Sequence, residues 1–257
     1  MKALRLIAVV MTVVAVSASA QYGIDKKLSL YLAGGYGFGI SGVYFGQSYN
    51  DGTGEVRDVF NNCGKGLKLD AGVFYRIMED VDIQCAFIFS GAVPQARTEN
   101  ELTIANLRTT TEYGFSSFSM GGKLLIMPRF SLFDVIDMYC GMGLGLVFTG
   151  SSYELDTINN TSGQTTTSRE TGEYKNLPSV PFYGALGAEY PVADFMVIFG
   201  EFSLEVMNVT QKELRVVEAD GDIRTEIYEN NVDDRTPRPK IPASNVGLRL
   251  GVRFPIL

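Results

Sequence analysis

The sequence predicts an all-β fold, an eight-stranded antiparallel up-and-down transmembrane β-barrel with four long extracellular loops and three short periplasmic turns. Three observations support this fold. Eight segments alternate large apolar residues with small or polar ones, and a period of two is typical of two-faced strands. The connections between these segments alternate between short and long. The first twenty residues have the composition of an export signal.

Residues 1–20 are predicted to be a cleaved signal peptide. A basic start is followed by an apolar run at 6–16 and a small-x-small cleavage motif at 18–20. An N-terminal membrane anchor is the less favoured alternative, because the apolar run is shorter than the roughly 20 residues that a spanning helix needs. The mature chain, 21–257, is predicted to form the barrel.

The first strand is predicted at residues 28–40. Its even-numbered positions, from Leu28 to Ile40, are mostly large and apolar. Its odd-numbered positions are Ser29, Tyr31, Ala33 and three glycines. Successive side chains of a strand lie on opposite faces, so one face is apolar and the other is small.

The other seven strands repeat this alternation. They are predicted, in order, at residues 67–77, 81–90, 117–126, 138–148, 182–190, 198–206 and 246–254. Each segment is close to the 9–11 residues or so that a tilted strand needs to cross a bilayer.

Three connections are short and four are long and polar. The predicted periplasmic turns are residues 78–80, 128–136 and 191–194, and the predicted extracellular loops are residues 41–66, 92–112, 150–178 and 207–244. This alternation is typical of transmembrane barrels. Asp220-Gly221-Asp222 predicts a hairpin turn within the last loop. Strands seven and eight are therefore expected to extend beyond the membrane.

The apolar face is predicted to point outward, toward lipid. The opposite face is mostly Gly, Ala, Ser and Tyr, which suits the crowded interior of a narrow barrel. Tyr36, Tyr75 and Tyr190 lie toward strand ends on the apolar face, where interfacial aromatics belong. A secreted β-sandwich or a lipocalin-like barrel with its apolar face inward remains the alternative.

Ten charged residues fall on the predicted inward face, five basic and five acidic. They are Lys68, Asp70, Arg76, Asp82, Lys123, Glu189, Glu201, Glu205, Arg249 and Arg253. Charges in a narrow interior must pair, whereas a selective ion pore favours one sign. The balanced set predicts a closed, salt-bridged lumen, with a gate or narrow water path as the alternative.

The predicted turns also fix which of these charges face each other. If the turn at 78–80 joins strands two and three symmetrically, Arg76 lies opposite Asp82. If strands seven and eight pair from their periplasmic ends, Glu201 lies opposite Arg249. Opposite charges that face each other across strands stabilise a sheet.

Composition excludes several functions. The chain has no His, which removes Ser-His and Cys-His catalysis and His-ligated metals. Its net charge is −7, and removal of the predicted signal peptide makes it −9, so a nucleic-acid partner is not expected. The three cysteines, Cys63, Cys85 and Cys140, are an odd number and are interpreted as small buried hydrophobic residues. No catalytic residue, cofactor or metal ligand is predicted.

The predicted signal peptide, the eight alternating strands, the glycine-rich inward face and the final segment VGLRLGVRF resemble the small outer-membrane β-barrels. These include the OmpA membrane domain, OmpX, the opacity proteins and the wider porin family. The resemblance implies a bacterial outer-membrane location, contact with outer-membrane lipid and insertion by the barrel-assembly machinery. Such chains commonly end on an aromatic residue, whereas here Phe254 is followed by Pro255-Ile256-Leu257.

The leading hypothesis is a structural or surface-interaction protein, adhesin-like, that binds a surface ligand through its four long loops. The alternative is a small porin that passes solutes. An outer-membrane enzyme is the third hypothesis and is disfavoured, because the enzymes among these outer-membrane barrels use at least one His.

Overall fold

The computed structural model describes residues 27–50, 55–91, 96–104, 107–132, 136–161, 164–218, 222–227 and 238–256. The predicted signal peptide lies outside the described residues, as do Asp220 and Gly221 of the predicted hairpin turn. Among the described residues, no helix is both long and apolar enough to cross a membrane.

Eight strands pair in a closed antiparallel ring. In order around it they are β1 (Leu28–Gly39), β4 (Gly66–Met78), β5 (Val81–Gly91), β7 (Leu107–Leu132), β8 (Ile136–Thr161), β10 (Phe182–Ala193), β11 (Met196–Val206) and β15 (Asn245–Pro255). The ring closes where β15 pairs with β1. Each predicted strand is present to within one residue of its predicted ends, or is longer.

The two faces of the ring strands differ sharply in exposure. On β1, Tyr31 is 4% exposed and Leu32 is 56% exposed, although they are adjacent in sequence. The same contrast around the ring confirms that the large apolar side chains point outward. We call these exposed side chains the outward apolar belt, whose main members are Leu30, Leu32, Leu67, Leu69, Phe87, Phe89, Phe118, Met120, Leu124, Ile126, Met142, Leu144, Leu146, Phe148, Phe182, Leu186, Ile198, Phe202, Leu248 and Leu250.

The four long connections differ from the prediction, because they consist largely of paired strands. They contain β2 (Val43–Asn50), β3 (Glu55–Asn61), β6 (Ala96–Ile104), β9 (Gln164–Asn176), β12 (Asn208–Val217), β13 (Ile223–Ile227) and β14 (Lys240–Pro242), together with the outer parts of β7 and β8. Several of these strands, such as β9, have polar residues on both faces and were not predicted, since the expected period of two depends on one apolar face.

Six of these strand segments form one sheet at a single end of the ring. The order is β6, the outer parts of β7 and β8, β9, β12 and β13, and we call it the projecting sheet. Strands β7 and β8 keep one register from Leu107↔Thr161 to Leu132↔Ile136, with pairing interrupted only at Met127 and Pro128, so they belong to both the ring and the projecting sheet. Val217 pairs with Ile223, which agrees with the predicted hairpin.

The short connections are at the opposite end of the ring. Residues 79–80 form the turn between β4 and β5, as predicted. The predicted turn at 128–136 is wrong, because β7 continues through Pro128 to Leu132. Pro128 is in register with Val81 of β5, so this proline lies within a strand rather than in a turn.

Inward glycines make room for large aromatic side chains. The ring of Tyr139 occupies the position that a Cβ of Gly187 would take, and the ring of Phe199 does the same at Gly251. In contrast, the Cβ of a residue at Gly184, which faces outward, would meet only Leu204, at 3.6 Å. Small and large residues therefore alternate across neighbouring strands of the interior.

We expect Gly187→Leu to destabilise the ring by about 1–3 kcal/mol, because a side chain there overpacks the interior against Tyr139. The matched variant Gly184→Leu, on the same strand but on the outward face, is expected to leave the unfolding free energy nearly unchanged. Urea unfolding in detergent micelles, followed by circular dichroism, measures both. Equal losses in the two variants would contradict the inward and outward assignment of β10.

Candidate functional site: the charged interior of the ring

A closed cycle of four charges lies near the short-turn end of the interior. Arg129 Nη1 is 2.7 Å from Asp82 Oδ2, and the other guanidinium nitrogen of Arg129 binds Glu189. Arg253 makes the same two connections from the other side, at 3.1 Å to Asp82 and 3.2 Å to Glu189. Each arginine thus joins the same two carboxylates, and all four residues are buried.

Two further charges flank this ionic cycle. Arg76 Nε is 3.2 Å from Asp82 Oδ1, and its side chain is 20% exposed, so it lies at the rim. Asp137 is 3.7 Å from Arg129, and its side chain is also 20% exposed.

An aromatic layer separates the ionic cycle from the charges above it. Tyr31, Phe74 and Phe199 pack together, with ring centroids 4.7 to 6.5 Å apart. The guanidinium of Arg253 lies 4.6 Å from the ring centroid of Phe74, which is a cation–π contact. This layer removes water from the arginine and so strengthens its ion pairs.

A second charged group lies above the aromatic layer. Arg249 Nη1 is 2.6 Å from Asp70 Oδ2 and 3.3 Å from Glu201 Oε1. Lys123 also binds Asp70, and the Tyr139 hydroxyl donates to Glu201 Oε2 at 3.1 Å. Every charge in this group therefore has at least one partner of opposite sign.

One more ion pair completes the interior toward the projecting sheet. Lys68 Nζ is 2.9 Å from Glu205 Oε2, which also accepts a hydrogen bond from Asn245 Nδ2 at 2.8 Å. The Tyr183 hydroxyl donates to the other oxygen of Glu205 at 3.3 Å. A buried carboxylate with three donors is well satisfied despite its loss of water.

A second apolar cluster covers this end of the ring, and the sequence did not predict it. Its buried members are Cys63, Tyr113, Phe115, Val147, Met207, Val209, Ile241 and Ala243. The turn at 62–64 is held there because Cys63 N donates to Pro242 O at 3.0 Å and Asn62 Nδ2 donates to Ser244 O at 3.1 Å. Burial raises the pKa of the Cys63 thiol to about 12, so the thiol stays protonated.

The ten predicted inward charges all take part in ion pairs. Nine are buried, and Arg76 is the partly exposed exception at the rim. The two register predictions are confirmed, since Arg76 pairs with Asp82 and Glu201 pairs with Arg249. Arg249 is nevertheless shared, and its shorter contact is with Asp70 rather than with Glu201.

Arg129 is the buried charge that the sequence reasoning missed. It falls within the predicted turn at 128–136, since the predicted fourth strand ends at Ile126. The alternation of β7 continues past Pro128, with Leu125, Met127 and Arg129 all buried. A continued count of inward positions along β7 would have found it.

The cysteines are only partly as predicted. Cys63 and Cys140 are buried, whereas Cys85 is exposed. Cys85 lies on the outward face of β5, where it pairs with the outward-facing Leu124. Cys85 is exposed like the outward apolar belt around it, so the prediction that Cys85 is buried is wrong.

The interior is electrically balanced. Among the described residues, five buried side chains are basic and five are acidic. Arg129 belongs to this buried set, whereas the partly exposed Arg76 does not. No group of His, Cys, Asp or Glu in the described part of the chain has the arrangement of a metal site. The buried ion pairs join strands across the interior and so stabilise the ring.

No protein-family model matches the chain, and no curated protein matches it. Solved structures do match it. The chain is similar to Neisserial surface protein A (TM-score 0.41, 12% identity, 90% of this chain and 97% of that chain). It is also similar to a major outer membrane protein from Thermus thermophilus (TM-score 0.46, 10% identity, 88% and 98%) and to Ail, the attachment invasion locus protein of Yersinia pestis (0.30, 14%, 88% and 96%).

We expect Arg129→Gln to lower the unfolding free energy by about 3–5 kcal/mol, because it leaves the two buried carboxylates of Asp82 and Glu189 to share the single guanidinium of Arg253. The matched variant Arg76→Gln removes a second arginine from the same Asp82, but at the partly exposed rim, and is expected to cost about 1 kcal/mol or less. Urea unfolding of both variants in detergent measures the difference. Equal losses would show that the ionic cycle is no more important than the rim pair.

Proposed function

We propose that this protein is an integral β-barrel of the bacterial outer membrane, exported by a cleaved signal peptide and inserted by the barrel-assembly machinery. The outward apolar belt is the observation that carries the proposal. A soluble protein rarely exposes a continuous apolar patch of this kind, whereas a bilayer requires one. The ring also satisfies the backbone hydrogen bonds of its strands, as hydrocarbon demands.

The barrel is proposed to be closed rather than a porin. Two charged groups, an aromatic layer and an apolar cluster at the mouth fill its interior, and the buried charges cancel. A solute path would need a water-filled gap through all of these layers. The small porin remains the second candidate, since the interior is polar as porin interiors are.

The projecting sheet is proposed to lie outside the cell and to carry a structural or surface-interaction, adhesin-like role. Rigid strands that extend from the ring hold this polar surface away from the membrane. No enzymatic role is proposed, because the buried charged residues of the interior pair with one another.

Epitope tags inserted at the two ends test location and orientation together. We expect a tag between Ser162 and Gly163, where β8 and β9 connect, to be labelled by antibody on intact cells. The matched tag between Asp194 and Phe195, in the turn after β10, is expected to be labelled only after the outer membrane is permeabilised. Recovery of the tagged proteins in the soluble periplasmic fraction would contradict the proposal.

Conductance in planar bilayers tests the closed interior. We expect the folded protein to give no large, stable current steps, because side chains fill an eight-stranded barrel. Reproducible porin-sized openings would favour the second candidate. A general porin purified in the same detergent is the positive control.

A further inference from the structure

A groove of about 830 Å³ lies on the outward face of the projecting sheet. It crosses β7, β8, β9 and β12, from Phe118 at the edge of the outward apolar belt to Arg215 and Val217. Phe118 is 49% exposed, whereas the adjacent Ser117 is buried, so the groove lies outside the ring and apart from the charged interior. Its volume is within the range of about 300–1,000 Å³ that is typical of small-ligand pockets.

Small residues form the floor of the groove. Ser116 and Ser152 face each other across β7 and β8, and their hydroxyl oxygens are 2.8 Å apart. Two residues further along β7, Gly114 leaves open space, since the nearest atom that a Cβ there would meet is the backbone oxygen of Glu154, at 3.9 Å. These short side chains leave room for a ligand to lie against the sheet.

The wall nearest the membrane is an exposed aromatic ring. Phe118 is directly opposite Gly150, and its ring occupies the position that a Cβ of Gly150 would take. Met120 and Phe148 are the next outward pair on the membrane side. The ring of Phe118 is thus held over the floor of the groove, with about half of its surface open to a ligand.

The far wall of the groove carries charges of both signs. Glu173 of β9 is directly opposite Arg215 of β12, and both side chains are exposed. Glu154 and Lys175 also line the groove. The groove therefore has two carboxylates and two cationic groups, and its charges balance.

A neutral saccharide fits these features better than an anion or an alkyl chain does. A sugar ring has an apolar face of C–H groups that packs on an aromatic ring, and its hydroxyls both donate and accept hydrogen bonds. Carboxylates accept from hydroxyls and guanidinium groups donate to them, and these charge-assisted bonds are strong. An anion would meet two carboxylates, and an alkyl chain would remove water from the charged wall without replacing its hydrogen bonds.

We propose that this groove binds a neutral saccharide, with one sugar ring on Phe118 and its hydroxyls bonded to Glu173 and Arg215. The proposal rests on the proposed surface-interaction role of the projecting sheet, and it deepens that role by naming the class of ligand. A soluble glycan and the headgroup of a glycolipid both offer this chemistry, so the test has an arm for each source.

Glycan-array binding tests this site on the full chain in micelles of octyl tetraoxyethylene, a detergent whose headgroup contains no sugar. One arm of the array carries short neutral oligosaccharides on a soluble spacer, and the other carries the same oligosaccharides on a lipid. We expect the wild type to bind at least one of these oligosaccharides. Because the detergent is in excess, a site for an alkyl chain would already be filled.

Two variants act on the groove itself. Phe118→Ala removes the aromatic wall and Gly114→Gln fills the floor, and each should weaken binding about ten-fold. Glu173→Ala and Arg215→Ala should each weaken it about five-fold, through the loss of a hydrogen bond. The matched control is Phe202→Ala, which removes an outward phenylalanine of similar exposure, 50%, on β11.

Three results would overturn the site: no saccharide bound by the wild type in either arm, unchanged binding by Phe118→Ala or Gly114→Gln, or an equal loss in Phe202→Ala. Equal capture of the lipid without its sugar would show that the groove takes an alkyl chain, which also overturns the proposal. Binding in the lipid-linked arm alone would support a glycolipid headgroup as the ligand, and binding in both arms would support a soluble glycan.

Each preparation is also run unheated and boiled on a gel. A wild type that lacks the faster unheated band is not a barrel, which overturns the proposed function and this site together. A wild type that shows the band but binds no saccharide overturns this site alone.

Discussion

The rest of the structure depends on the pairing of charges that have lost their water. The ionic cycle joins Asp82 of β5, Arg129 of β7, Glu189 of β10 and Arg253 of β15. β5 and β7 are neighbours in the ring, whereas β10 and β15 lie in other parts of it, so the cycle ties its walls together across the interior. Removing any one member leaves a buried charge unbalanced, and the cost of that imbalance holds the ring to one arrangement.

Packing supports the same arrangement. Glycines on the inward face let Tyr139 and Phe199 lie flat against neighbouring strands, and the phenol of Tyr139 then reaches Glu201 at 3.1 Å. The aromatic layer excludes water from Arg253, while the cluster around Cys63 covers the mouth. Apolar and ionic layers alternate along the axis of the ring, and each layer limits the access of water to the next.

Much of the ring can be predicted from the sequence, because the alternation of apolar and small residues indicates which face of a strand each residue occupies. Turn positions then give the register, so Arg76 can be matched with Asp82 and Glu201 with Arg249 by counting residues alone. Arg129 is missed because the predicted strand stops short of Pro128, although a proline lacks only one backbone donor and β7 continues through it. The shared contact of Arg249 with Asp70 is beyond register counting, since those residues meet through the interior and are not direct partners across strands.

Most strands of the projecting sheet were not predicted, for another reason. Their backbones are paired, but several of them carry polar residues on both faces, such as β9 with its Thr run. Periodicity in hydrophobicity reports burial on one face, not backbone pairing. A strand whose two faces are both exposed to solvent gives no such signal.

The long pairing of β7 with β8, in a single register, also has a mechanical consequence. The two strands run unbroken for 26 residues each, from the outer tip through the ring. Hydrogen bonds in an antiparallel pair stand perpendicular to the strands, so a pull along the strands loads many of them in parallel. A tension on the tip, such as drag on an anchored cell, would be carried into the ring as shear. The same force applied across the hairpin would open its bonds one after another.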